Sequence, residues 1–200
     1  MSVIERLLEH ASVYGLWQAP FAAAKFAPIT AHNRLDSVRR VLDVGCGPGT
    51  NTAAFRHADY IGIDWNPRYI EAARRRHGRT FVAADVTQYR VSPAGKFDFI
   101  LLNSLLHHLD ADGSRRLLEH LVTLLSDDGH VHVLDLVLPD TRGMARRLAE
   151  WDRGDFPRPL AEWRELFAGV FEPVLFEAYP VGVAGLALWN MVYFKGRRRT

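Results

Sequence analysis

Between Val41 and Thr50 the chain reads Val-Leu-Asp-Val-Gly-Cys-Gly-Pro-Gly-Thr, an apolar run that enters a loop with glycine at 45, 47 and 49. Glycines at alternate positions let a backbone turn tightly and come close to a ligand that side chains would hold off. Asp43 stands just before the loop, Asp64 closes a second apolar run, and Asp85 follows a third. Single aspartates at strand ends serve as turn or cap residues. Three of them on one rim beside a glycine loop describe an acidic binding surface.

Charge decides which ligand such a surface suits. A dinucleotide loop needs G-x-G-x-x-G, and Thr50 stands where the last glycine belongs. A P-loop needs Gly-Lys-Ser/Thr, and no lysine occurs between Lys25 and Lys96. Asp43 would repel a pyrophosphate but suits a ligand carrying an ammonium and a sulfonium. Asp64 lies 21 positions past Asp43, a separation at which a carboxylate accepts from both ribose hydroxyls. Asp85, acceptor-only when ionised, suits the exocyclic amine of adenine, and Trp65 offers a flat apolar face beside the ring.

Other candidates carry less. His107 and His108 suit proton removal from an acceptor, or simply cap and pack a loop entering a helix. Asp135, near the end of a later strand, suits orienting an acceptor hydroxyl or amine, or a buried structural pair. Cys46 has no identifiable base and reads as a small side chain of the glycine loop, not a nucleophile. Asp110-x-Asp112-Gly113 lacks the remaining ligands of a calcium loop and reads as a helix start. No metal site is expected.

The elements that position these residues alternate. Strands are expected at Arg40–Val44, Tyr60–Asp64, Thr80–Ala83, Phe97–Leu102 and, after an Asp127–Gly129 turn, His130–Leu138. Helices are expected at 51–56, 67–76 and 115–125. This order predicts a parallel sheet covered on both faces. Helices then follow near 142–151 and 160–167, with Trp151, Phe156, Trp163 and Phe167 forming an apolar set that suits core more than pocket. Two aromatic-rich strands at 171–179 and 186–195, joined by the short link 180–185, predict an antiparallel pair. Ahead of the sheet, Val3–Ala11 has the periodicity of an amphipathic helix. A second helical segment is expected after Pro20, with Pro28 ending or bending it.

A chain of 200 residues, 48% of them hydrophobic, can bury one core. The expected organisation is one domain over 1–200, with an N-terminal helical segment at 1–37, a ligand-binding core at 38–138, and helices with a terminal hairpin at 139–200. A net charge of +2 gives no reason to expect nucleic acid or an anionic membrane as partner. The run Arg197 to Arg199 reads as a solvated tail or a contact for an acidic partner. The single cysteine excludes an intramolecular disulfide and fits a reducing compartment. With no apolar stretch long enough to span a bilayer, the protein is read as soluble and cytoplasmic.

Taken together, Asp43-Val44-Gly45-Cys46-Gly47-Pro48-Gly49, Gly62-Ile63-Asp64, Ala84-Asp85-Val86, Phe97-Asp98-Phe99-Ile100 and Leu106-His107-His108-Leu109 resemble the ordered motifs of class I S-adenosylmethionine-dependent methyltransferases, over about residues 38–138. The resemblance implies a Rossmann-like three-layer α/β sandwich with a mostly parallel seven-stranded sheet, a C-terminal antiparallel hairpin and an N-terminal helical lid. It implies that S-adenosylmethionine lies with its methionine end on Gly45, Cys46, Gly47 and Gly49, its ribose on Asp64 and its adenine between Trp65 and Val86. Asp85 would bind the amine, and Asn103 would close the pocket beneath the sulfonium. Tyr14 and Trp17 would belong to the lid on the acceptor side. The His107–His108 stretch is most similar to the branch acting on small molecules, lipids and quinone-like acceptors. The expected activity is methylation of a small, apolar molecule without metal. Use of the cofactor without methyl transfer, as a scaffold or cyclisation catalyst, is the alternative, and a nicotinamide-dependent oxidoreductase is disfavoured by Thr50 and Asp43.

Overall fold

The computed structural model describes residues 11–90, 92, 95–141, 143–151, 154–183 and 186–199, without the side chains of 11–20, 144, 151, 183 and 186. Seven strands form one sheet: β1 Arg40–Val44, β2 Asp59–Asp64, β3 Thr80–Ala83, β4 Phe97–Asn103, β5 Leu125–Val137, β6 Glu172–Val183 and β7 Leu186–Arg197. Their spatial order is β3-β2-β1-β4-β5-β7-β6. The first five run parallel, and β7 pairs antiparallel with both β5 and β6. The reversal of strand order between β1 and β4 opens a crevice at the carboxyl ends of these strands, where ligands of doubly wound sheets bind.

Alternation along the strands feeds a large core on each face of the sheet. Leu42, Val44, Ile100, Leu102, Val131 and Val133 face helices α3 (Ala111–Leu124) and α5 (Leu160–Val170) through Leu117, Leu121, Trp163 and Phe167. Val41, Phe99, Leu101 and Leu134 share the other face with Phe55, Tyr60 and residues of α1 (Ala11–His32) and α2 (Pro67–His77), among them Ile29, Ile70 and Ala73. A sheet covered on both faces explains why its strands read as continuous apolar runs. Helix α4 spans Met144–Trp151.

Several expectations shift. Apart from Ala11, the helix expected at 3–11 lies outside the described residues. From Ala11 onward the chain is one helix through Pro20 and Pro28, ending at His32. Each proline removes a helical hydrogen bond, but Pro28 and Ile29 are buried, Phe21 packs edge-on against Trp189, and Asn33 donates to the Ile29 carbonyl at the end. The helix expected at 51–56 is a single 3-10 turn, Thr52–Phe55. Asp127–Gly129 is not a turn before β5 but a bulge within it: the register jumps from Phe97↔Leu125 to Phe99↔His130. A Cβ on Gly129 would stand 2.6 Å from the Phe97 carbonyl oxygen, so the bulge needs glycine. Pro180 lies inside β6, where an edge strand tolerates it. Asp110 caps α3 by accepting from Gly113 N, as a helix start rather than a calcium loop should.

The basic end is not a free tail. Arg197 pairs with Glu172, Arg198 donates to the Leu125 carbonyl, and Arg199 donates to the carbonyls of Ala168 and Phe171. The contacts of Arg199 supply partners for carbonyls at the end of α5, which a helix leaves open.

Candidate functional site

The glycine loop leaves β1 pinned to its neighbour: Gly45 N and Cys46 N both donate to the Ile63 carbonyl, at 2.8 and 3.1 Å. Gly47 has φ +53 with nothing within 4 Å of where a Cβ would sit, so it combines a left-handed backbone with open space. Gly49 has φ +82, and its missing Cβ would stand 2.8 Å from the His77 ring. The first is free for a ligand to approach; the second is required by packing. Cys46 turns its side chain inward, where burial pushes the thiol up, and an un-ionised thiol is inert. Only its backbone belongs to the loop surface.

Asp43 shares a sheet face with Val41, which directs it into the interior beside Tyr60. Its Oδ2 accepts from Tyr60 Oη at 2.6 Å and from Asn51 Nδ2 at 3.2 Å. Oδ1 is buried and has no hydrogen-bond partner among the described residues. Burial raises the carboxyl to about 6, against the lowering effect of its two donors. A buried carboxylate oxygen left unpaired is costly, and a cationic ligand would satisfy it.

The other two acids differ in environment. Asp64 is buried, accepting from Gly47 N at 2.9 Å and Asn66 N at 2.8 Å, so it clasps the glycine loop and the start of α2 together. Burial raises its pKa despite these two donors. Asp85 is exposed and accepts through one oxygen from Thr87 N and Thr87 Oγ1, capping the 3-10 turn Val86–Gln88. Those hydrogen bonds lower its pKa. Val86 is half-buried beside it, and Trp65, directly after Asp64, is 83% exposed. An indole left so open at the carboxyl end of β2 is a ready stacking surface.

At the end of β4, Asn103 Nδ2 donates to Asn51 Oδ1 at 3.1 Å. Ser104 follows with φ +57, a strained conformation for a residue with a side chain. The next loop is held from below. Asp135 is fully buried and accepts from Leu106 N, Leu136 N and His107 Nδ1, the last at 2.6 Å. Its carboxylate is spent on the loop and does not reach the surface to orient an acceptor. His107 is buried with it, whereas His108 is exposed. Arg158, also buried, donates to the carbonyls of Leu106 and Leu109 and to Ser114 Oγ.

Beyond β5 a cleft of about 320 Å³ is lined by Val137, Leu138, Pro139, Asp140, Leu160, Ala178, Tyr179, Pro180 and Asn190. Trp163 and Phe167 are core residues, Phe156 is exposed, and the Trp151 side chain lies outside the described residues. Tyr14 and Trp17 belong to α1, their side chains also outside the description. Among the described residues no cluster of three or more His, Cys, Asp or Glu could hold a metal.

Three residues of this site escaped the sequence reading: Asn51, Tyr60 and Arg158. An asparagine directly after the glycine loop was a usable signal for the first. Tyr60 read as a strand residue and Arg158 as part of a connection, and only tertiary contact reveals them.

Comparison with known proteins places residues 18–169 in a family model described as a methyltransferase domain. The chain is 32% identical over 189 residues to trans-aconitate 2-methyltransferase of Escherichia fergusonii, covering 87% of this chain and 69% of that one. It is 35% identical over 119 residues to the enzyme of the same name from Methylobacterium radiotolerans, covering 57% and 43%. In fold it matches N-methyltransferase NodS from Bradyrhizobium japonicum WM9, solved with S-adenosyl-L-homocysteine, with a TM-score of 0.74 at 20% identity over 98% of this chain and 97% of that one.

Proposed function

The chain belongs to the class I S-adenosylmethionine-dependent methyltransferases, and from that premise we propose that it methylates a small, largely apolar acceptor held in the cleft beyond β5. The observation that carries this choice is the lining of that cleft: Val137, Leu138, Pro139, Leu160, Ala178 and Pro180 are apolar, and its one charged member, Asp140, is negative. The curated relatives are named for trans-aconitate, a polycarboxylate, which such a lining would repel.

The residues fit the cofactor on two counts. The unpaired Asp43 Oδ1 offers a buried negative charge for the cationic methionine end, and the open indole of Trp65 offers a face for adenine. In this reading Gly45, Cys46, Gly47 and Gly49 bear the methionine end by backbone, Asp64 takes the ribose hydroxyls, Val86 and Trp65 flank the base, Asp85 accepts from its amine, and Asn103 lies beneath the sulfonium. When bound, S-adenosylmethionine supplies a methyl group activated for in-line displacement. The chain contributes alignment and exclusion of water, effects worth up to about 7–11 kcal/mol. The methyl's leaving group departs neutral, so no acid is needed.

An acceptor that sheds a proton needs a base, and His108 is the proposed one, since His107 is buried against Asp135. Asp135, His107 and Arg158 hold the loop that presents it. Tyr14 and Trp17 are proposed to close the acceptor side. We assign the enzyme to the cytoplasm, which its lone cysteine supports; no helix of the described residues is long and apolar enough to cross a membrane. The test is S-adenosylhomocysteine release with a panel of apolar phenols, quinols and amines beside trans-aconitate and other polycarboxylates. Turnover confined to the apolar members is expected; preference for the polycarboxylates would reverse the acceptor assignment.

A further inference from the structure

Asn51 occupies the N-cap position of the turn Thr52–Phe55, where an asparagine ordinarily accepts from the backbone of the turn. It makes no such bond. Its amide instead reaches across the crevice, donating from Nδ2 to Asp43 Oδ2 at 3.2 Å and accepting at Oδ1 from Asn103 Nδ2 at 3.1 Å. The end of β1 and the end of β4 are thus joined through a single side chain.

The polarity of this chain of amides is not arbitrary. Asp43 Oδ2 also receives the Tyr60 hydroxyl, at 2.6 Å, so it acts as an acceptor. An acceptor at that end obliges Asn51 to present its NH2 there, which leaves its carbonyl for Asn103. Asn103 must then present its own NH2 to Asn51, and its Oδ1 becomes the amide atom turned away, accepting from Ser104 Oγ at 3.3 Å. Without Asn51, the Asn103 amide can rotate by half a turn at little cost and expose a donor instead of an acceptor. The left-handed backbone of Ser104 fixes where that amide is carried.

We infer that Asn51 is a positioning residue that transmits acceptor polarity from Asp43 to Asn103, so that the site favours the cationic cofactor over its neutral thioether product. The inference rests on the proposed placement of the cofactor's methionine end between Asp43 and Asn103. It concerns discrimination by charge at one atom, since S-adenosylmethionine and S-adenosylhomocysteine share every other recognised group. A donor facing the sulfonium would oppose the charged form and leave the neutral one unaffected.

The test is calorimetric titration of the whole protein with S-adenosylmethionine, S-adenosylhomocysteine and adenosine. Asn51→Leu is expected to cut the preference for the sulfonium over the thioether by about tenfold while adenosine affinity stays within about twofold. Asn51→Asp is isosteric, accepts from Asn103 as the amide does and shares a proton with Asp43; it is expected to keep the preference within about threefold. In an Asn103→Leu background, Asn51→Leu should add no further loss of preference. Equal weakening of both cofactor forms by Asn51→Leu, additive losses in the double variant, or loss of preference in Asn51→Asp would overturn the inference. Failure of the underlying placement reads differently: Asp64→Ala would then leave adenosine and both cofactor forms bound as in the parent protein.

Discussion

Cofactor affinity should rise with pH between 5 and 7, and Asp43 should be the reason. Burial lifts its carboxyl from the usual range to about 6, a penalty on the charged form of about 3 kcal/mol. The sign follows from linkage. A carboxyl raised in the folded state holds a proton that the unfolded chain has released, so its contribution to stability is full below about pH 4 and is lost as pH rises through about 6. A cation against the unpaired Oδ1 reverses the preference by selecting the ionised form. At pH 5 about nine-tenths of the free protein carries the proton and at pH 7 about one-tenth, so the apparent dissociation constant should fall about tenfold across the interval. Asp64, also raised by burial, acts in the same direction, whereas Asp85 is lowered and stays ionised throughout. Calorimetry from pH 5 to 7, in buffers of contrasting ionisation enthalpy, reads both affinity and proton release. Asp43→Asn should flatten the profile to less than about threefold and reduce the proton release below pH 6 to the share that Asp64 contributes. An unchanged profile in that variant, or affinity that falls as pH rises, would refute the reasoning.

Other outcomes follow from the same geometry. Asp43→Asn should make the free protein more stable at pH 7, by about 1–2 kcal/mol in denaturant titration, because a buried charge with an unpaired oxygen is removed. Trp65→Ala should weaken adenosine binding by about 1–2 kcal/mol with the melting temperature unchanged, since the indole is exposed in the free protein. Arg158→Met should cost about 2–4 kcal/mol of stability and lower turnover more than cofactor affinity, because the carbonyls of Leu106 and Leu109 lose their donor. His132 is buried, stacked on Phe99 and bonded to Tyr193, and burial holds its pKa well below the usual value. The unfolded chain takes up that proton first, so stability should be lost as pH falls through about 6.5; chemical denaturation of His132→Phe should show a shallower acid limb.

The parallel core was legible because each of its first four strands is a short apolar run with a polar or turn residue at or just past its carboxyl end, and both predicted boundaries of each fall within a residue of those found. What local pattern hid was set by distant contacts. The bulge at Asp127–Gly129 looks like a turn until Phe97 is packed against Gly129. Pro28 looks like a helix end until its burial beside Ile29 is counted. In the site, the acids were visible as residue types, but their divergence was not. Asp43 and Asp64 lie beneath the loop and Asp85 lies in solvent, a difference made by Tyr60, Gly47 and Thr87. The pairing of His107 with Asp135 joins residues 28 positions apart on neighbouring elements and leaves no sequence signal.

The central claim, that the carboxyl rim is built for a cationic nucleoside, is met most directly by a crystal structure of the complex with S-adenosylmethionine. The account predicts ribose hydroxyls on Asp64, adenine against Trp65 and Val86, and the ligand's positive end within hydrogen-bonding distance of Asp43 Oδ1. A nucleoside bound away from these three strand ends, or an Asp43 Oδ1 still without a partner in the complex, would contradict it.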